Sequence, residues 1–321
     1  LAGLQLWNGM RALDFLETLP DVRRDAIAMT GESGGGSQTF LLASVDPRVK
    51  VAVPVNMISL HMQGGCLCEN PPGLRLDLTN VDIAATIAPR PMLMVSATGD
   101  WTKETMEVEY PAVRAVYDLF GAGDKVQAVR MTAEHNYNKD SREAMYAWMA
   151  RWLQQAPASA KLPERSFSVE PLQDLLVFHR RTLPSEAVTP AQLTAGWIAS
   201  ASKQLGASPS TEAATALRHA LDAGPASVSA DTVPTFNKTV VISHSDPAVA
   251  KALSSAGFVV RSLSLTPFDQ AAAAKVAHFA TYNRTVAGQR VADVVAAARA
   301  NPGAAIVADG ERAEPQILVT R

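Results

Sequence analysis

The run Met29-Thr30-Gly31-Glu32-Ser33-Gly34-Gly35-Gly36 constrains this chain more than any other stretch. It follows Asp25-Ala26-Ile27-Ala28-Met29, a short apolar run with strand character, and it precedes Ser37 to Ala43, which reads as a helix packing one face. A Gly-x-Ser-x-Gly placed between a strand and a helix forms a nucleophile elbow. The turn is tight enough that Gly31 and Gly35 are expected to need bare backbone. Ser33 then stands at the tip, with its hydroxyl presented at the carboxyl end of a sheet. The Gly34 N–H begins the following helix, where it can donate to an oxyanion at the positive end of the helix dipole. Gly-x-Ser-x-Gly also occurs by chance in Gly-rich turns; the strand before it and the helix after it are what give it weight here. A phosphate loop is excluded, because no Gly-Lys-Ser/Thr follows.

The rest of the chain supplies the sheet around that turn. Residues 4–17 form an amphipathic helix stopped at Leu19-Pro20. Strands are expected at 25–30, 49–55, 91–96 and 126–131, with helices between them. The last of these helices, striped with Met145, Trp148, Met149 and Trp152, has Asp140 and Glu143 as a capping box. Strands alternating with helices predict an α/β fold with a mostly parallel, doubly wound sheet. Residues 56–80 are a long irregular excursion, of the kind that serves as a lid or binding loop. Cys66 and Cys68, one residue apart, read as free thiols or a local packing device, since a bridge between them would be strained and two sulfurs are too few for a structural zinc.

With 321 residues, the chain is expected to hold two domains. Residues 1–153 carry the elbow, 154–171 a Pro- and Ala-containing linker, 172–234 helices, and 235–321 a return of the α/β pattern. An internal repeat joins the two ends. Arg11-Ala12-Leu13-Asp14 leading to Gly31-Glu32-Ser33 is matched at constant offset by Arg290-Val291-Ala292-Asp293 leading to Gly310-Glu311-Arg312. The tail therefore reads as a partial, degenerate copy whose elbow carries arginine in place of serine. The chain opens without methionine and reads as a piece of a longer protein, with any targeting segment outside it. A net charge of −2 with 19% charged residues gives no electrostatic case for nucleic acid or a membrane surface.

A serine nucleophile needs a base and a carboxylate to orient that base. Asp100 follows the third strand and His135 the fourth, so the chain order is Ser33, Asp100, His135, all at carboxyl ends of parallel strands, where such sheets place their sites. Glu104 and Asp124 are poorly placed rivals for the acid. His61 lies in the long loop, with a structural or substrate-facing role, and Glu32 and Trp101 are the further residues that could line a substrate pocket. No metal or cofactor is called for.

The elbow, together with Gly64-Gly65-Cys66-Leu67-Cys68-Glu69-Asn70, Ala88-Pro89-Arg90-Pro91, Thr98-Gly99-Asp100-Trp101-Thr102 and His135-Asn136-Tyr137-Asn138, resembles bacterial acetyl-xylan-esterase-like α/β-hydrolases over residues 1 to about 153. The resemblance implies the carboxyl half of an α/β-hydrolase sheet and a Ser33–His135–Asp100 triad. It further implies an acyl-enzyme and a small-molecule or carbohydrate ester as substrate. A secreted or periplasmic setting goes with it, and the second oxyanion donor would lie upstream of Leu1. Two other readings stand beside it: a prolyl-oligopeptidase-like peptidase, and a non-catalytic fragment or interaction module. Oligomeric state is not legible.

Overall fold

The computed structural model describes residues 2–61, 64–67, 69–206, 236–242, 247–308 and 316–318. The chain divides into two compact units, one of Leu1–Ser168 with Ala277–Asn283, the other of Val169–Val276 with Arg284–Arg321.

The first unit alternates helix and strand throughout: α1 (Ala2–Thr18), β1 (Ala28–Glu32), α2 (Gly34–Val45), β2 (Val51–Val55), α3 (Asn80–Ala85), β3 (Met92–Gly99), α4 (Glu109–Leu119), β4 (Val126–Glu134) and α5 (Lys139–Gln154). Its strands pair in chain order, β1-β2-β3-β4, all parallel. The period-two alternation of the strands explains why they read as continuous apolar runs. Ala52, Met92 and Met94 pack with Phe40 and Leu42 of α2, Ala84 of α3 and Val113 and Tyr117 of α4. Val51, Val53, Val55, Leu93 and Val95 pack with Met145 and Trp148 of α5. Both faces are covered, so both residue sets must be apolar. Each fully buried Val, Leu or Met side chain contributes about 1.5–3 kcal/mol.

Two local expectations change. Helix α5 is capped by Asn138, whose side chain accepts from Ser141 N–H at 3.0 Å, and not by an Asp140–Glu143 box; Asp140 already lies inside the first turn. Strand β3 runs on to Gly99, because Ser96, Ala97 and Gly99 still pair with Arg130, Met131 and Glu134 of β4. The extension carries Asp100 to the sheet's rim.

The second unit contains α6 (Leu172–Leu175), α7 (Pro190–Gly206), β5 (Thr239–Ile242), α8 (Pro247–Ser255), β6 (Val259–Ser262), α9 (Gln270–Ala273), α11 (Val286–Ala300), β7 (Ala305–Ala308) and β8 (Gln316–Leu318). Helix α10 (Phe279–Tyr282) belongs to the first unit. The strand order is β6-β5-β7-β8, parallel except for the β7–β8 pair. Val241, Leu263, Ala304 and Ile306 form its core. Gly310-Glu311-Arg312, on which the reading of a degenerate elbow rests, lie outside the described residues, as do His219 and His244.

Candidate active site

The turn after β1 has the geometry its sequence requires. Ser33 sits at φ 57°, ψ −118°, a conformation that costs an L-residue of order 1–3 kcal/mol and persists only where the surroundings enforce it. Its N–H donates to Val55 O at 3.0 Å, and its own carbonyl accepts from Ser37 N–H at 2.9 Å as α2 begins. A Cβ on Gly31 would stand 2.5–2.7 Å from the backbone of Gly35, so Gly31 is obligatory. The second obligatory glycine is Gly36, not Gly35. A Cβ on Gly36 would meet Val55 O at 2.7 Å and Met57 Cβ at 2.9 Å, whereas one on Gly35 meets nothing within 4 Å. The helix turns Gly35 toward open space and Gly36 against β2. Gly31→Ala and Gly36→Ala are each expected to lower stability by about 1–3 kcal/mol, and Gly35→Ala to fall well below that, in chemical denaturation of the three variants. The Gly34 N–H opens α2, in the first turn whose donors the helix itself cannot satisfy.

Asp100 and His135 meet at this rim. Asp100 Oδ2 is 2.6 Å from His135 Nδ1, and the aspartate side chain is wholly buried. Its Oδ1 accepts from both the N–H and the hydroxyl of Thr102, itself buried. An acceptor at Nδ1 places the ring proton there and leaves Nε2 free to take one. Trp101 lies against the imidazole, ring centroids 4.3 Å apart and planes 36° apart, so it packs on the histidine. The histidine loop is tied down twice. Asn56 Nδ2 donates to Asn136 O at 2.9 Å, and Tyr137 OH meets Thr30 Oγ1 at 2.6 Å. Burial pushes the Tyr137 phenol up from its ordinary range, so it stays a neutral hydroxyl.

The fold is that of an α/β-hydrolase. The strained serine between β1 and α2, with an acid after β3 and a histidine after β4 on one edge of an ordered parallel sheet, carries that assignment.

Ser33 Oγ makes no hydrogen bond to the imidazole among the described residues. Instead Glu32 Oε1 stands 2.8 Å from His135 Nε2. Such bonds are often long before substrate binds and tighten in the complex. His61 is not brought to this centre; its Nε2 pairs with Glu104 Oε2 at 2.7 Å on an exposed surface. An open cleft of about 610 Å³ beside it is lined by Thr98, Lys103, Glu104, Glu107, Val108 and Arg130, and by none of Ser33, Asp100 or His135. Among the described residues, no group of three or more His, Cys, Asp or Glu is placed to hold a metal ion.

The long loop supplies the part of the site that sequence reasoning missed. Glu69 of this loop braces the start of α2. Buried Glu69 accepts from Ser37 Oγ at 3.1 Å through Oε1, and from the N–H groups of Gly65 and Cys66 through Oε2. Buried Arg75 donates to Glu69 O at 2.7 Å and to Asn80 Oδ1 at 2.9 Å, and desolvation lowers its guanidinium from the ordinary value. Helix α10 closes over this loop, with Gly73 N–H to Ala280 O at 2.8 Å and Thr281 Oγ1 to Asn70 O at 2.8 Å. Cys66 is disulfide-bonded, which corrects the reading of free thiols there. Glu69 N–H turns back on Cys66 O at 3.1 Å; Cys68 lies outside the described residues. A Glu and an Arg inside a Pro- and Gly-rich run were the available signal, without any periodicity to single them out.

No family model matches the chain. A search of curated proteins finds "Putative hydrolase YtaP" of Bacillus subtilis (strain 168), 26% identical over 161 residues, covering 47% of this chain and 54% of that protein. Among solved structures, Methylesterase BT1017 is 37% identical and covers 46% of this chain and 34% of its own, with a TM-score of 0.44. A carbohydrate esterase family 15 glucuronoyl esterase from Caldicellulosiruptor kristjansonii is 18% identical over 52% of this chain and 54% of its own, with a TM-score of 0.41. The chain thus spans about half the length of the curated relative it matches.

Proposed function

We propose that this α/β-hydrolase is a serine carboxylic-ester hydrolase, with Ser33 as nucleophile, His135 as base and Asp100 as the group that orients the base. The observation that carries the reading is the 2.6 Å contact between wholly buried Asp100 and His135 Nδ1, on the same sheet edge as a serine held at φ 57°. The hydrolase in the name of the Bacillus subtilis relative agrees with it.

The chemistry follows from the atoms. Ser33 Oγ attacks the ester carbonyl while Nε2 takes its proton. The carbonyl oxygen becomes an oxyanion, held by the Gly34 N–H and the α2 dipole. Collapse breaks the bond to the alcohol, which leaves with the proton from Nε2, and Ser33 carries the acyl group. Water then attacks that acyl group, giving its proton to Nε2, and the acid departs as the serine recovers the proton. The balance closes: the alcohol leaves with the Ser33 proton, and the attacking water replaces it through Nε2. The substrate class we favour is an acetylated carbohydrate of the xylan type, or another small acyl ester.

A fluorophosphonate probe tests the reading in the intact chain. It should label Ser33 quickly, and His135→Ala should slow that labelling by orders of magnitude. Turnover of acetyl esters with none of peptide anilides separates an esterase from a peptidase, and an unlabelled Ser33 would sink both.

A further inference from the structure

Glu32 bears a carboxylate that the mechanism above does not use. It is the last residue of β1, immediately before the elbow serine. Its Oε1 lies 2.8 Å from His135 Nε2, yet that oxygen is buried and has no hydrogen-bond partner. The approach is close without having hydrogen-bond geometry, so the direction of Nε2 is not taken up by Glu32. The rest of the imidazole is matched, Nδ1 by Asp100 and one face by Trp101.

Buried acceptors without a donor are exceptions in folded proteins, and the burial of Oε1 against the imidazole fixes how the carboxylate is aimed. The Glu32 side chain keeps 21% of its surface exposed while Oε1 is buried, so a donor brought by a ligand reaches the carboxylate through its other oxygen, Oε2. Where that donor must come from follows from Nε2. In ester hydrolysis, Nε2 hands its proton to the oxygen of the leaving alcohol. A carboxylate in contact with Nε2 therefore faces the neighbourhood of that oxygen. A sugar alcohol carries a hydroxyl on the next ring carbon; an aryl or simple alkyl alcohol does not.

We propose that Glu32 is the specificity-determining residue of this site, its carboxylate accepting a hydrogen bond from the hydroxyl next to the scissile oxygen of a polyhydroxylated leaving alcohol. This rests on the reading of the chain as a serine ester hydrolase. The same carboxylate disfavours alcohols that carry a carboxylate beside the ester, because two like charges would be brought within a few ångströms of each other.

The test compares three acetyl esters on the full chain: a monoacetylated methyl xyloside with its neighbouring hydroxyl free, the analogue with that hydroxyl replaced by hydrogen, and 4-nitrophenyl acetate. Wild type should prefer the hydroxylated over the deoxy sugar by about 10- to 100-fold in kcat/KM, the range of a hydrogen bond to a charged group. Glu32→Ala should bring that ratio to within about threefold, and Glu32→Gln, which keeps one acceptor and nearly the same shape, should fall between. Equal losses on all three esters would make Glu32 a support for the imidazole and overturn the proposal, as would a wild-type enzyme indifferent to the hydroxyl. Either result with normal fluorophosphonate labelling of Ser33 leaves the esterase reading standing, whereas absent labelling overturns both.

Discussion

Alanine at position 33 is expected to abolish ester hydrolysis while leaving the fold in place. Ser33 precedes α2 without a side-chain capping bond, so its hydroxyl has no structural duty there. Alanine keeps the same Cβ at φ 57°, and the strain of the turn is therefore unchanged. Stability should move by no more than about 0.5 kcal/mol in a denaturant titration. Activity is another matter. Nucleophile and base work as a unit, so Ser33→Ala and His135→Ala should each lower kcat on the order of 10⁴-fold or more, and the double variant little further. Losses that multiply in the double variant would show that the two residues act independently and would remove the shared proton transfer on which the mechanism depends.

The elbow was legible because its constraint is local. A backbone that folds back on itself demands glycine wherever two strands of chain touch, and the sequence spells the demand. The choice between Gly35 and Gly36 was not legible, since it depends on which face of α2 meets Val55 and Met57 of the neighbouring segment. Asp100 and His135 could be placed because parallel strands deliver their carboxyl ends to one edge. Glu32 was readable only as a residue of the elbow run that could line a substrate pocket. Its approach to Nε2 is set by the dihedral angles of the turn and by a loop more than a hundred positions away in sequence. The braces on Ser37 and on the histidine loop were invisible for the same reason. Glu69, Asn56 and Tyr137 are polar residues with partners across the fold, while Arg75 closes its own loop onto Glu69 and Asn80, and no period marks any of them. The α5 cap was misplaced by two residues because Asn138 and Asp140 are both good capping types, and only the path of the chain out of β4 decides between them.

Asp100→Asn is expected to lower kcat by roughly 10⁴-fold while preserving the geometry of the site. The reason lies in how Asp100 is held. Both Thr102 donors, its N–H and its hydroxyl, converge on Oδ1, and Oδ2 faces His135 Nδ1. An amide in this position must turn its oxygen toward the two Thr102 donors, because the reverse would bury an NH₂ against an N–H. The NH₂ then faces Nδ1 and donates to it. Nδ1 becomes an acceptor, the ring proton moves to Nε2, and the nitrogen that should deprotonate Ser33 can no longer do so. Adding Thr102→Val to Asp100→Asn removes one of the two donors that fix the amide, and should restore part of the lost rate by letting the amide flip. Single-turnover rates on an acetyl ester, with a thermal melt for each variant, would measure this. An Asp100→Asn enzyme of near-normal rate would move the acid elsewhere, and Glu32, in contact with the opposite nitrogen of the same ring, would be the residue to substitute next.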